Sequence, residues 1–181
     1  KMTSVILTVP IAGVVVLGDR FFSLWVPSQD ARLLQTLSVL AILGYMFTSG
    51  TQILFNVFST VNKVKTNAIA MLTSGVVSAA IMILMIYFTD LDIYAVAGVS
   101  TFVNLARNMC FTLPVTAKYL GFKWLQFYPQ MIATVISSLV IVALGELIKP
   151  FLPSGTWLEF FAAALVIGTI GLLINFFALL N

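Results

Sequence analysis

Six stretches of this chain, at about residues 2–18, 33–59, 66–88, 93–115, 126–148 and 157–180, are apolar over nearly their whole length. Each approaches or exceeds the ~20 residues that a helix rising 1.5 Å per residue needs to cross about 30 Å of hydrocarbon. The runs lack the strict alternation of lipid-facing and lumen-facing residues that marks a barrel strand, so they predict helices. Composition agrees, with 61% of the 181 residues hydrophobic and 8% charged, against roughly 25% charged in an ordinary soluble domain. The expected fold is all-α: one polytopic membrane helix bundle of about six transmembrane helices, occupying residues 1–181. A signal peptide over residues 1–18 is the competing reading of the first run. No small-x-small cleavage site follows "VVVLG", and further spans come after it.

The residue inventory narrows the chemistry. There is no His and a single Cys, Cys110, so a disulfide within the chain, a zinc cluster and a Cys/His catalytic pair all lack material. No phosphate loop, paired metal-binding acids or Ser-His-Asp set is present, and "GVVVLG" lacks the spacing and preceding strand of a dinucleotide fingerprint. No catalytic residue, metal, cofactor or nucleic-acid partner is therefore expected.

The charges between the runs are sorted. Lys1, Lys63, Lys65, Lys118 and Lys123 fall on one side with no acid among them, while Arg20, Arg32 and Lys149 share the other with Asp19, Asp30, Asp90, Asp92, Glu146 and Glu159. Because Lys and Arg in short loops stay inside, the first side is expected to be cytoplasmic, with both ends of the chain on it. Trp25, Trp124 and Trp157, with Tyr87, Tyr119 and Tyr128, lie near the run ends, where amphipathic rings prefer the headgroup region. Pro10 removes one hydrogen bond in the first span and predicts a bend. Gly75, Ser78 and Ala79 in the third span and Gly168 and Gly171 in the sixth suit close helix packing.

Two spans carry polar stripes. In "YMFTSGTQILFNVFSTVNKVK" the residues Tyr45, Thr48, Ser49, Gln52, Asn56 and Ser59 fall within about 60° of one line on a helix advancing 100° per residue. In the fourth span Ser100, Thr101, Asn104, Arg107 and Asn108 do the same. Arg107 lies well inside that span, where an arginine costs ~2.5–3.5 kcal/mol on insertion scales and normally faces protein or water. Its competing reading is snorkelling towards the loop that bears Lys118. No acid within the spans is available to pair with it, so an anion supplied from elsewhere is expected. The candidate substrate-binding residues are Thr48, Gln52, Asn56, Asn104, Arg107 and Asn108, on two faces of one hydrated cavity. A dry helix interface joined by hydroxyls and amides is the alternative.

Three stretches, "FFSLWVP" (21–27), "ILFNVFSTVNKVKTNAI" (53–69) and "DIYAVAGVS" (92–100), together carry a resemblance. Over about residues 1–125 the chain resembles the C-terminal half of bacterial polysaccharide flippases, the O-antigen and capsule-precursor translocases of the multidrug/oligosaccharidyl-lipid/polysaccharide exporter superfamily. The last two runs agree with that family in number and spacing. The resemblance implies one lobe of a twelve-helix transporter of the bacterial inner membrane, whose N-terminal lobe would supply the other wall of a central cavity. It implies a lipid-linked oligosaccharide or polysaccharide precursor as substrate, moved between leaflets by alternating access, with Arg107 attracting its pyrophosphate. A cation-coupled exporter of the same superfamily would be expected to place an acid in the membrane interior. A membrane-bound transferase would need metal-binding acids, and a non-transporting scaffold would keep its polar faces from water.

Overall fold

The computed structural model describes residues 2–90, 92–153 and 155–180, with the side chains of 50–52, 92, 179 and 180 outside the described set. Every regular element among the described residues is helical. The chain runs through α1 (Met2–Trp25), α2 (Ala31–Thr48), α3 (Phe55–Thr60), α4 (Val64–Phe88), α5 (Asp92–Arg107), α6 (Leu113–Tyr119), α7 (Tyr128–Ile148) and α8 (Trp157–Asn175). A 3₁₀ stretch, Ser49–Leu54, joins α2 to α3, and a π stretch, Asn108–Thr112, joins α5 to α6. The eight helices thus form six rods. Among the described residues five are long and apolar enough to cross a membrane: Met2–Trp25, Ala31–Thr48, Val64–Phe88, Tyr128–Phe151 and Trp157–Ala178. The remaining rod is the one divided by the π stretch. The protein is a multi-pass, all-α membrane helix bundle, as the run lengths predict.

Local chemistry sets the rod ends. The Asp30 carboxylate accepts from the backbone N–H groups of Arg32 and Leu33, capping α2. Thr156 and Glu159 form a reciprocal capping box at the start of α8, which satisfies donors that a first helical turn leaves bare. Gly121, at φ +73°, turns the chain after α6, a backbone conformation that costs glycine little. Along the rods, Thr8, Thr73, Thr134, Ser138 and Thr169 each donate to the carbonyl four residues back. A hydroxyl that bonds its own helix in this way can sit in hydrocarbon without stranding a donor.

Helix α1 is the hub, packing on α2, α7 and α8, while α2 packs on α5 and α5 on α4. The α1–α7–α8 side is closely fitted. A methyl built on Gly145 of α7 would stand 2.8 Å from Val16, and one on Gly171 of α8 would meet Ile141 and Val9 at 3.3 Å. Val16, Leu17, Ala163 and Ile167 make its apolar core. It is also bolted by polar groups. Asn175, fully buried, donates through its Nδ2 to the Val5 carbonyl at 3.0 Å and to Thr8 Oγ1 at 2.6 Å, and accepts from Ser137 Oγ at 2.5 Å. At the opposite end of the same helices, Lys149 pairs with Asp19 at 2.9 Å, and the Arg20 guanidinium donates to the carbonyls of Lys149 and Leu152. Arg20 therefore closes the C-terminus of α7, where carbonyls lack helical partners.

The α4 side is looser. Ser78 is its buried residue, whereas Gly75 faces open space and Ala79 is exposed. Of Gly75, Ser78 and Ala79, Ser78 alone is buried. In the sixth span both glycines meet α1, Gly168 through a 3.9 Å approach to Val9. Helix α1 continues unbroken through Pro10, whose ring is exposed.

The π stretch has a local stop signal. Its last bond runs from Leu113 N–H to the Asn108 carbonyl, so in that i→i−5 register the next donor, to Met109, would be residue 114. That residue is Pro and has no N–H.

Candidate functional site

Between α2, α4 and α5 lies a cleft of about 540 Å³, and Arg107 stands on its wall. Helix α5 contributes Ser100, Thr101, Asn104 and Arg107, and the first residue of the π stretch adds Asn108, completing the stripe predicted for the fourth span. That stripe stays on one face because α5 is regular through Arg107 and the π stretch begins only at Asn108. Helix α2 contributes Tyr45 and Thr48, and α3 contributes Phe55. Asn67 and Met71 of α4 form the third wall, which the sequence pattern did not single out.

The stripe predicted for the second span does not survive as one line. Thr48 reaches the cleft, but Asn56 and Ser59 are exposed elsewhere and line no part of it. The side chain of Gln52 lies outside the described residues. The cause is the 3₁₀ stretch, which advances about 120° per residue instead of about 100° and so, over its six residues, rotates the start of α3 by roughly 120°. Phe55 is thereby brought into the cleft in place of Asn56. On the same rod Leu54 and Val57 turn into a second apolar core with Leu113, Met131 and Met109. Ser49 is fully buried, and its hydroxyl has no hydrogen-bond partner.

Arg107 sits deep. Its Nη1 donates to Ser74 Oγ at 3.2 Å, and Ser74 is the eleventh residue of α4, about 15 Å from the helix start at 1.5 Å per residue. The guanidinium also lies over the Phe55 ring, 5.8 Å from its centroid, within the range of a cation–π contact. The side chain thus reaches across to α4 and α3, contacts that a guanidinium drawn to the Lys118 loop would have to give up. Its Nε is buried and unpartnered. Among the described residues the carboxylates found in ion pairs, Asp19 and Glu146, both hold Lys149, and none pairs with Arg107. The charge is therefore held by neutral groups alone.

The other polar groups are ordered to different degrees. Asn108 is buried and lines the cleft, and its Oδ1 accepts from Thr112 Oγ1 at 3.1 Å. Thr101 is buried and tied across to α2, donating to the Ala41 carbonyl at 3.0 Å. Close approach of α2 and α5 is allowed by Gly44, where an added Cβ would stand 3.0 Å from the Thr101 methyl. Asn104 is exposed in the cleft. The arrangement offers one fixed cation, a fork of donors and several amides, which together can bind an anion carrying hydroxyl groups.

Tyr128 and Asn175 are polar groups whose part in the structure exceeds what the sequence indicated. The Tyr128 ring stands at a span end, as expected, but its hydroxyl is turned inward onto the fourth rod. Asn175 was hidden in "LLINFFALL", where a single amide has no periodicity to mark it. Compared with family models, with curated proteins and with solved structures, the chain matches none at a significant level.

Proposed function

We propose that this chain is a six-helix lobe of a transporter, not an enzyme, that moves lipid-linked oligosaccharide or polysaccharide precursors across the bacterial inner membrane by alternating access. The observation that carries the reading is Arg107: a cation about mid-span, without a carboxylate partner among the described residues, on the wall of a cleft whose other groups are amides and hydroxyls. An uncompensated charge at that depth is costly, and a ligand anion is what would relieve it. The resemblance to polysaccharide flippases supplies the substrate class. Arg107 attracts the pyrophosphate, Asn104 and Asn108 with Thr48 bind sugar, and the N-terminal lobe of the full protein closes the opposite wall. The basic end bearing Lys63, Lys65, Lys118 and Lys123 is cytoplasmic, as are both ends of this chain.

The test is translocation of a lipid-linked oligosaccharide by the full-length protein in proteoliposomes, with the inserted amount measured in parallel. Arg107→Gln keeps hydrogen-bonding capacity and loses charge. Hydrogen bonds to charged groups contribute about 1.5–3 kcal/mol, so transport at limiting substrate falls roughly ten- to a hundredfold. Arg107→Lys retains an intermediate rate, because it keeps the charge without the planar fork of donors. A wild-type rate for Arg107→Gln per inserted molecule would sink the reading and leave a scaffold role in its place.

A further inference from the structure

The polar cleft ends at a line along α4 and α5, and beyond that line the surface changes character. Along α5 and the π stretch that follows it, Ser100, Asn104 and Asn108 line the cleft, whereas Val103, Ala106 and Cys110 line a groove of about 620 Å³ between α4 and this rod. At about 100° per residue the two rows occupy neighbouring faces, and Arg107 falls between them. Helix α4 repeats the division: Asn67 and Met71 face the cleft, Ala70, Thr73 and Val77 face the groove. Arg107 lines both hollows, and its 3.2 Å bond to Ser74 is the seam. Apart from this pair, Thr66, Thr73 and Cys110, the groove is lined by alkyl and aromatic side chains. The Thr73 hydroxyl is already bonded to the Ile69 carbonyl, and Phe111 closes one side.

A lipid-linked anion has this same division into a charged, hydroxylated head and a hydrocarbon chain. We propose that the α4–α5 groove seats the hydrocarbon chain of the anionic lipid whose head occupies the cleft, with the phosphate on Arg107 and the chain leaving sideways past Ser74. The proposal rests on the transport reading above and adds the route of the chain. Surrounding lipid is as apolar as the groove, so the chain gains little from the groove alone. The fixed charge at the seam holds the head, and the chain follows the surface beside it. Among the described residues neutral Ser74 is the one side chain hydrogen-bonded to Arg107 across the seam, and a phosphate oxygen can replace it without leaving a carboxylate unpaired.

Cys110, the single cysteine, is exposed on the groove and is a native probe. The full-length protein, any cysteines of the N-terminal lobe replaced by serine, is placed in phosphatidylcholine nanodiscs and labelled with N-ethylmaleimide. Polyprenyl pyrophosphate at about ten times its dissociation constant should slow Cys110 labelling about tenfold, following the fraction of free site. Inorganic pyrophosphate, which has no chain, and polyprenol, which has no charge, should leave the rate unchanged. Arg107→Gln should abolish the protection. Ala106→Phe, which fills the groove and leaves the charge in place, should abolish the lipid dependence at Cys110 as well. Ser100→Cys in a Cys110→Ser background reports on the cleft. Protection at Ser100→Cys without protection at Cys110 would overturn the groove assignment and leave the transport reading standing. Protection at neither would overturn both. Equal protection of Cys110 by phosphatidylglycerol, or protection that survives Arg107→Gln, would also overturn the proposal, since the chain's position would then not depend on this head site.

Discussion

The hydroxyl of Tyr128, at the start of α7, donates to the carbonyl oxygen of Met109 at 2.7 Å, nineteen residues away in sequence. That carbonyl is the one that Pro114 leaves without a backbone donor, so a side chain from the next rod supplies what the fourth rod lacks. In hydrocarbon no water can do so.

Tyr128→Phe removes the donor and keeps the ring. A buried carbonyl left without a partner costs about 1–3 kcal/mol, and this bond is part-buried, so the unfolding midpoint in detergent should fall by a few degrees. In a Pro114→Ala background, where residue 114 regains an N–H, the same substitution should cost distinctly less. A penalty that is the same in both backgrounds would refute the link between Tyr128 and Pro114. Tyr119→Phe is the control, because its ring packs edge-on against Phe58 and loses nothing of that contact.

Asn175→Ala cuts three bonds that join α8 to α1 and α7. Interhelical hydrogen bonds in membranes average about 0.6 kcal/mol, so a loss of roughly 2 kcal/mol is expected, read from equilibrium unfolding in mixed micelles. Asn175→Asp has nearly the same shape but no amide hydrogens to give to the Val5 carbonyl and Thr8. It should be at least as destabilising as Asn175→Ala, and a milder effect would mean that shape rather than the bonds matters at this position.

Water in the cleft can be mapped with single cysteines in a Cys110→Ser background. Asn104→Cys and Tyr45→Cys should react with a small water-soluble thiol reagent, and Leu113→Cys, from a position with no exposed surface, should not. Protection of the first two to the level of Leu113→Cys would make the α2–α5 boundary a dry interface.

Orientation is read in the same way from intact cells. Lys63→Cys and Lys118→Cys should resist a membrane-impermeant reagent added outside, and Asp90→Cys should be labelled. Labelling at Lys63→Cys would invert the assignment. At the acidic end Lys149 is engaged by Asp19 and Arg20 by backbone carbonyls. Among the described residues this leaves Arg32 as the unengaged basic side chain at the acidic end, against Lys63, Lys65, Lys118 and Lys123 at the other.

Much of the fold was legible because hydrocarbon imposes length and apolarity on each rod, and both can be read along the chain. The runs at 66–88 and 157–180 fall within a few residues of α4 and of α8 with its π extension. The first run stops about seven residues short of the end of α1, because Asp19 and Arg20 look like an end. They are instead held within α1 by Lys149 and the carbonyls after α7. The α5 stripe was legible for the reason that makes periodicity work: one regular helix keeps one phase. Its counterpart through Asn56 was not, because six residues of 3₁₀ helix shift the phase and nothing in "SGTQIL" fixes that pitch in advance. The depth of Arg107 could be read from the run, but its sideways course to Ser74 depends on which rod lies beside it, and that is a property of packing.

The π stretch has a bearing on how this chain should be lined up with any other. Between Asn108 and Thr112 one turn takes up an extra residue, so α5 and α6 cannot share a single unbroken count of helical positions. A counterpart whose fourth rod is plain α-helix would be one residue shorter there. Placing a single gap inside 108–112 would superpose Arg107 on one side and Pro114 on the other, whereas an ungapped match would set one of the two half-rods about 100° out of phase.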